Sequence, residues 1–223
     1  MSKITKHYFE HNNRKYFRGN AENVELCSYG EKKDPIGPNA YLDVENRIQR
    51  ELVAPKVKAL GTVAIDWAQV SKVDGGAKGQ VNAFGVKGER AAETSIGVAE
   101  KGNYKLVGFA VDAGPLRVLL NTEADGARNF LEREGNDGRI VSEIWVVMEA
   151  EYSSAFSISA SYSVSASVVG VGLDITASGT SAGTKKITLS AGSTFAYLLH
   201  KVKKWNKGKT KIEDLEADYK GGS

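Results

Sequence analysis

One cysteine, three histidines, four prolines and three tryptophans are all that 223 residues hold of those types. Cys27 alone closes no internal disulfide, which excludes a disulfide scaffold and suits a reducing compartment. His7 and His11 sit in a basic N-terminal segment and His200 stands far from them, so no metal-ligand spacing is spelled out. Nowhere do roughly 18 apolar residues run together, which excludes a membrane-crossing helix but not a crossing strand. Met1–His7 has no continuous apolar stretch, so no secretory leader is expected. With 41% hydrophobic and 26% charged residues, disorder throughout is excluded as well. One domain over 1–223 is expected.

Catalytic constellations are equally scarce. Gly208-Lys209-Thr210 mimics the end of a phosphate-binding loop, yet Lys203 stands where the loop's first glycine belongs. Glu149 and Glu151 are carboxylates that no spacing selects. No catalytic residue, metal ligand or cofactor is assigned, and the chain is not expected to be an enzyme.

Charge is present in blocks, which the net +3 conceals. Lys3, Lys6, Arg14, Lys15 and Arg18 crowd the first twenty residues, and Lys201, Lys203, Lys204, Lys207, Lys209 and Lys211 crowd a later stretch. Glu213, Asp214, Glu216 and Asp218 follow. Between Tyr152 and Thr184 the only charge is Asp174. Tyr8, Phe9, Tyr16, Phe17 and Trp205 interleave with the cations, a mixture that suits lipid headgroups and nucleic-acid phosphates alike.

The uncharged zone alternates. Phe156, Ile158, Ala160, Tyr162, Val164, Ala166 and Val168 fill even positions, and Ser157, Ser159, Ser161, Ser163, Ser165 and Ser167 fill the odd ones between. Period two puts the sets on opposite faces of a strand. After Val169-Gly170 the phase flips, with Val171, Leu173, Ile175 and Ala177 now odd. Two strands joined by a short turn produce that flip, and Val141–Val168 and Val171–Leu189 are its expected arms. Soluble strands average about 5–6 residues and normally carry charge on the wet face, whereas bilayer-crossing strands need about 9–11 with one apolar face. Pattern alone leaves both readings open.

Upstream, Val57–Trp67 alternates less regularly. A flexible Asp74–Gly79 turn follows, then a further arm through Ala92, Thr94, Ile96 and Val98 toward Val111. Helices are expected at Val44, Ile48 and Leu52 behind Asp43 as N-cap, at Leu116, Leu119 and Leu120 behind Pro115, and at Phe130-Leu131 before the Gly135–Gly138 turn. Thr210–Glu213 reads as a capping box opening a helix with Ile212, Leu215 and Tyr219.

The stretch Thr184–Tyr197, with Ile187, Leu189, Gly192, Ser193, Thr194, Phe195, Ala196 and Tyr197, resembles a segment of the gasdermin pore-forming domain. Asn136–Ile144 is similar to the start of that family's second membrane hairpin, and Leu116–Leu131 to the helical segment before it. The likeness covers about residues 56–202 and is greatest to the fungal regulator-of-cell-death gasdermins, with bacterial forms next. Ser190 departs from the proline often found there, and no cysteine for lipidation precedes Cys27.

The resemblance implies an α+β fold, with a twisted, mainly antiparallel sheet flanked by helices. It implies a basic N-terminal helix at 1–20, hairpin regions at 56–111 and 141–191 able to extend into a transmembrane β-barrel, and a C-terminal helix at 210–220. On activation by a protease or partner chain, a cytoplasmic protomer would bind acidic phospholipid and oligomerise with like protomers. It would then permeabilise the cell membrane and cause regulated cell death. Lys3, Lys6, Arg14, Lys15, Arg18, Lys201, Lys203 and Lys204 would meet headgroups. Phe156, Ile158, Ala160, Tyr162, Val164, Ala166, Val168, Leu173 and Ile175 would face lipid, and Ser157 to Ser167 at odd positions the lumen. No nucleic acid is expected on this reading. The alternative is a soluble β-rich interaction module whose basic ends bind nucleic acid or an acidic protein.

Overall fold

The structure, a computed structural model, describes residues 2–34, 39–68, 70, 80–84, 92–95, 104–156, 161–168, 170–180 and 183–219. It is a mixed α+β fold built on a large curled, mainly antiparallel sheet with few helices. In chain order its elements begin with β1 (Lys3–Ile4), β2 (Tyr8–His11), β3 (Arg14–Phe17), β4 (Ser28–Lys33), β5 (Tyr41–Arg47) and α1 (Arg50–Val53). β6 (Lys58–Ala64), β7 (Gln80–Phe84), β8 (Ala92–Ser95), β9 (Tyr104–Ala110), α2 (Ala113–Thr122) and α3 (Asp125–Glu134) come next. β10 (Gly138–Glu149), α4 (Ala150–Ser153), β11 (Ser161–Ala166), β12 (Gly172–Thr180), β13 (Gly183–Ser190), β14 (Thr194–Trp205) and β15 (Ile212–Asp218) complete it.

β10 and β14 organise everything else. Both are 12 residues long; β10 is almost wholly buried, whereas β14 is buried from Thr194 to His200 and its lysine-bearing end reaches solvent, so β10 and the first half of β14 read as near-continuous apolar runs. Their side chains divide two cores by period two. Ile144, Val146 and Met148 of β10, with Tyr197 and Leu199 of β14, enter the larger core beneath α2 and α3. Trp145 and Val147, with Ala196 and Leu198, enter a smaller one lined by Ile4, Phe9, Tyr16 and Trp67. Register shifts at Val141/Glu143 and Trp145/Val146 let β10 pair with β14 along one side and with β4, then β9, on the other.

The N-terminal twenty residues form strands, correcting the expected basic helix. Asn12 and Asn13 both take positive φ (49° and 61°), which asparagine tolerates and which a two-residue hairpin turn of the I′ kind demands. β2 and β3 pair around them, Phe9 opposite Tyr16 and His11 opposite Arg14. The aromatic runs Tyr8-Phe9 and Tyr16-Phe17 favour strand over helix.

The C-terminal helix is likewise a strand. Asn206 Oδ1 accepts from the Thr210 and Lys211 amides at 2.8 and 3.0 Å, with Lys209 at φ 54°. That tight turn folds β15 back along β14 in place of the helix that a Thr210 cap would start. The Asp43-capped helix is also corrected: Val44 lies in β5, and only Arg50–Val53 is helical. β5 runs antiparallel along the whole of β4, so the ladder overrides a three-residue apolar stripe. The α2 stripe Leu116, Leu119 and Leu120 is buried as expected, and α3 buries Phe130 and Leu131.

Region 56–111 holds two nested antiparallel pairs, β6 with β9 and β7 with β8. The Asp74–Gly79 turn and Ile96 and Val98 lie outside the described residues. Region 141–191 is broken where one long arm was expected. β10 ends at Glu149, and α4 with a 3-10 turn at Ser154–Phe156 intervenes before β11. β11, β12 and β13 then form a second, three-stranded sheet.

A Cβ on Gly172 would stand 1.9 Å from the Leu189 carbonyl oxygen, inside the β12–β13 pair. Gly172→Ala is expected to cost about 1–3 kcal/mol, toward the upper end because backbone must yield. That lowers Tm by roughly 2–4 °C per kcal/mol. Gly126, with nothing within 4 Å of an added Cβ, is the control that leaves Tm level or higher.

Candidate membrane-active site

The second sheet places the serine stripe where alternation puts it. Val164 pairs with Ile175, Ser163 with Thr176 and Ser165 with Asp174 across β11 and β12. Ser161, Ser163 and Ser165 are exposed, whereas Tyr162, Val164 and Ala166 are half-buried against the body. Leu173, Ile175, Ala177, Ile187 and Leu189 on β12 and β13 are fully covered. The Tyr162 hydroxyl accepts from the Ala59 amide at 2.9 Å, pinning β11 to the start of β6.

Several assigned residues stand elsewhere. Phe156 is off the strand, in the 3-10 turn, with its ring edge-on to Phe109 at 6.0 Å. Ser167 is buried and Val168 is exposed, reversing the stripe where the turn begins. Ser157, Ile158, Ser159 and Ala160 lie outside the described residues.

Asp174, the single charge of the zone, is nearly covered, with Thr188 Oγ1 donating at 2.6 Å and Lys186 Nζ at 3.1 Å. The charge therefore sits on the sheet's polar face and is locally matched.

The β11–β12 turn is strapped to the body by Arg50. Its Nη1 donates to the Gly170 carbonyl at 2.5 Å and its Nη2 to the Val171 carbonyl at 2.9 Å. The same Nη2 reaches Glu25 at 2.9 and 3.2 Å, and Arg47 donates to Glu25 at 2.7 Å. A cleft of about 270 Å³ opens beside this strap, lined by Arg47, Arg50, Ser167 and Gly170 among others.

The two basic blocks differ. Lys3 and Lys6 are exposed and carry no ion pair among the described residues. Arg14 meets Glu143 at 3.3 Å, and Lys15 lies over the Tyr8 ring. Arg18 donates to the Thr5 carbonyl at 2.7 Å and lies over Phe195. In the later block the three β14 lysines are already matched: Lys201 with Glu216, Lys203 with Asp214 and Lys204 with Glu213, at 3.5, 3.3 and 2.6 Å. Antiparallel pairing of β14 with β15 lays the basic run beside the acidic one.

Comparison with protein-family models, with curated proteins and with solved structures gives no match.

Groups that chemistry would call on are sequestered. His200 Nδ1 lies 2.7 Å from Ser142 Oγ, both buried, and burial pushes the imidazole down to about 4. Burial pushes the Cys27 thiol up to about 12. Neither described cavity includes any of the three. Among the described residues there is no cluster of metal-ligating side chains and no helix long and apolar enough to cross a membrane.

One constellation escaped sequence reasoning. Asp218 receives Lys32 Nζ at 2.8 and 3.1 Å and Arg139 Nε at 2.6 Å, all three buried. Its members are 186 and 79 positions apart, so only the sheet topology brings them together.

Proposed function

We propose that this chain is the protomer of a gasdermin-like pore. It would bind acidic phospholipid, oligomerise with like protomers and permeabilise a membrane, ending in cell death. The observation that carries this reading is the second sheet. It is separate from the main ladder, uncharged on β11, and two-faced, with serines to solvent and aliphatics against the body. That surface satisfies a lipid on one side and a water-filled lumen on the other without changing a residue. β12 already has 9 residues, within the bilayer-crossing range of about 9–11. The serine alternation continues upstream to Ser157, so β11 would reach 10 residues, within the same range, if Ser157–Ala160 join its 6. Barrel closure between protomers then pairs the edges that lipid cannot satisfy.

Headgroup contact falls first to Lys3 and Lys6. Lys201, Lys203 and Lys204 join only when β15 gives up its acids, so this face is self-neutralised in the resting fold.

Dye release from vesicles with and without phosphatidylserine, beside electron microscopy of the treated membranes, tests the reading. Leakage dependent on acidic lipid, with ring-shaped particles, is the expected result. Salt-dependent binding to RNA or DNA with no release would replace it with the interaction-module reading.

A further inference from the structure

The second sheet shares no ladder with the main one. Leu173, Ile175, Ala177, Ile187 and Leu189 bury its inner face in the larger core. Few hydrogen bonds among the described residues add to that packing. The Tyr162 hydroxyl accepts from the Ala59 amide at 2.9 Å. Arg50 donates to the Gly170 and Val171 carbonyls at 2.5 and 2.9 Å, at the start of β12. Where the chain leaves β13, the Gly192 amide donates to the Glu22 carbonyl at 2.6 Å and Thr194 Oγ1 to the Val24 carbonyl at 2.7 Å. Gly192 stands at φ 86°, a left-handed conformation that glycine enters without steric cost. Segment 22–25 thus grips the sheet twice, directly at its exit and, through Glu25 and Arg50, at the start of β12.

We propose that Arg50 and Glu25 form a latch that sets how fast the second sheet lifts from the body, with Gly192–Thr194 as the hinge that stays. The two grips differ in how they can let go. The exit is continuous with β14, whose first seven residues are buried, so it is anchored by the chain itself. Arg50 touches the sheet through carbonyls, while its charge is answered on the body side by Glu25 at 2.9 and 3.2 Å. When the sheet leaves, the ion pair remains and no charge is stranded. Arg50 Nε is buried without an acceptor, a cost carried by the closed state that opening relieves by hydration. The cleft of about 270 Å³ lined by Arg50 and Gly170 brings water beside these bonds. No bond between the two sheets' ladders has to break, and the aliphatic face uncovered by lifting finds lipid at a bilayer. The inference rests on the pore reading above and deepens it by naming what restrains the membrane-facing sheet in the resting protomer.

The test compares wild type, Arg50→Gln and Arg47→Gln in dye release from phosphatidylcholine–phosphatidylserine vesicles. Hydrogen–deuterium exchange of the same proteins without vesicles is read alongside. Arg50→Gln should speed leakage at least about tenfold, the rate equivalent of one charge-assisted hydrogen bond. It should also raise exchange in peptides covering β11 and β12 while β10 keeps wild-type protection. Arg47 donates to the same Glu25 at 2.7 Å and is 43% exposed, so Arg47→Gln should leave both readings within about twofold. Glu25→Gln loosens the same guanidinium without removing it and stands in if Arg50→Gln does not fold. About threefold faster leakage is expected from it, and none overturns the latch. Wild-type leakage that Arg50→Gln does not quicken, or equal quickening by both arginine variants, overturns the latch and leaves the pore standing. Faster exchange confined to β11 and β12, in proteins that never leak, supports the latch and removes the pore. Faster exchange spread into β10 makes Arg50 a general stabiliser and overturns the latch.

Discussion

Asp218→Ala is expected to lower unfolding stability by about 3–5 kcal/mol, the cost of removing one partner from a buried ion cluster. The upper end applies, since two cations, Lys32 and Arg139, would be stranded by one deletion. Typical stabilities of about 5–15 kcal/mol leave little margin for such a loss. At roughly 2–4 °C per kcal/mol the fall in Tm is about 6–20 °C. Lys32→Met is the informative partner, because it leaves Arg139 and Asp218 as a one-to-one pair. It should cost less than half as much, and equal losses would refute the charge accounting. Acid has the same target. Burial alone would raise the Asp218 carboxyl, but hydrogen bonds from Lys32 and Arg139 outweigh it and depress the pKa. A depressed carboxyl contributes stability that is complete above the unfolded value near ~3.9 and is lost as pH falls through the folded one. Wild type should therefore lose stability below about pH 4 more steeply than Asp218→Ala does, as read from urea unfolding across pH 2–6.

Val164→Arg is expected to cut vesicle leakage by at least about tenfold, whereas Ser165→Arg leaves it within about twofold. Arginine on a barrel's lipid face costs about 2–4 kcal/mol near the midplane, and every protomer of a ring pays it. In the proposed pore the lumen face would be water-filled and impose no such cost. The resting fold adds a second penalty at one position only, because Val164 is packed on the core and Ser165 is exposed. Leakage is therefore normalised to the folded fraction, measured by thermal melting. Equal normalised leakage from both variants would sink the two-face argument.

How far the residues announced this outcome depends on whether their information was local. The serine alternation and its phase flip set which residues of β11 and β12 share a face, and the length of the turn, which period two leaves open, selects the observed register. Pro115 with its leucines set α2, and Gly135–Gly138 set the turn into β10. The N-terminal hairpin was legible in principle: Asn12-Asn13 between two aromatic pairs is a turn signal, masked by the basic residues around it. β15 was not. Thr210–Glu213 is a sound capping box in isolation, and only the exposed edge of β14, with its lysines, makes the extended alternative better. Arg50 at the turn 120 positions away and Lys32 at Asp218 are purely tertiary. No spacing rule reaches them.

The attachment of β15 has a consequence for how it could ever come away. Asn121 clasps Ile212 from both sides, its Oδ1 accepting from the amide at 2.8 Å and its Nδ2 donating to the carbonyl at 2.9 Å. Asp218 holds the far end through the buried cluster. Between the two lies the lysine–acid ladder, largely in solvent and screened within a Debye length of about 10 Å at 0.1 M salt. Salt thus weakens the middle of the strand and leaves both ends fixed. A strand tethered at two points behaves as a bivalent ligand: when either end lets go, the other keeps it at millimolar effective concentration, about where it started. Graded weakening produces fraying and re-docking, and departure becomes abrupt only when both anchors fail together.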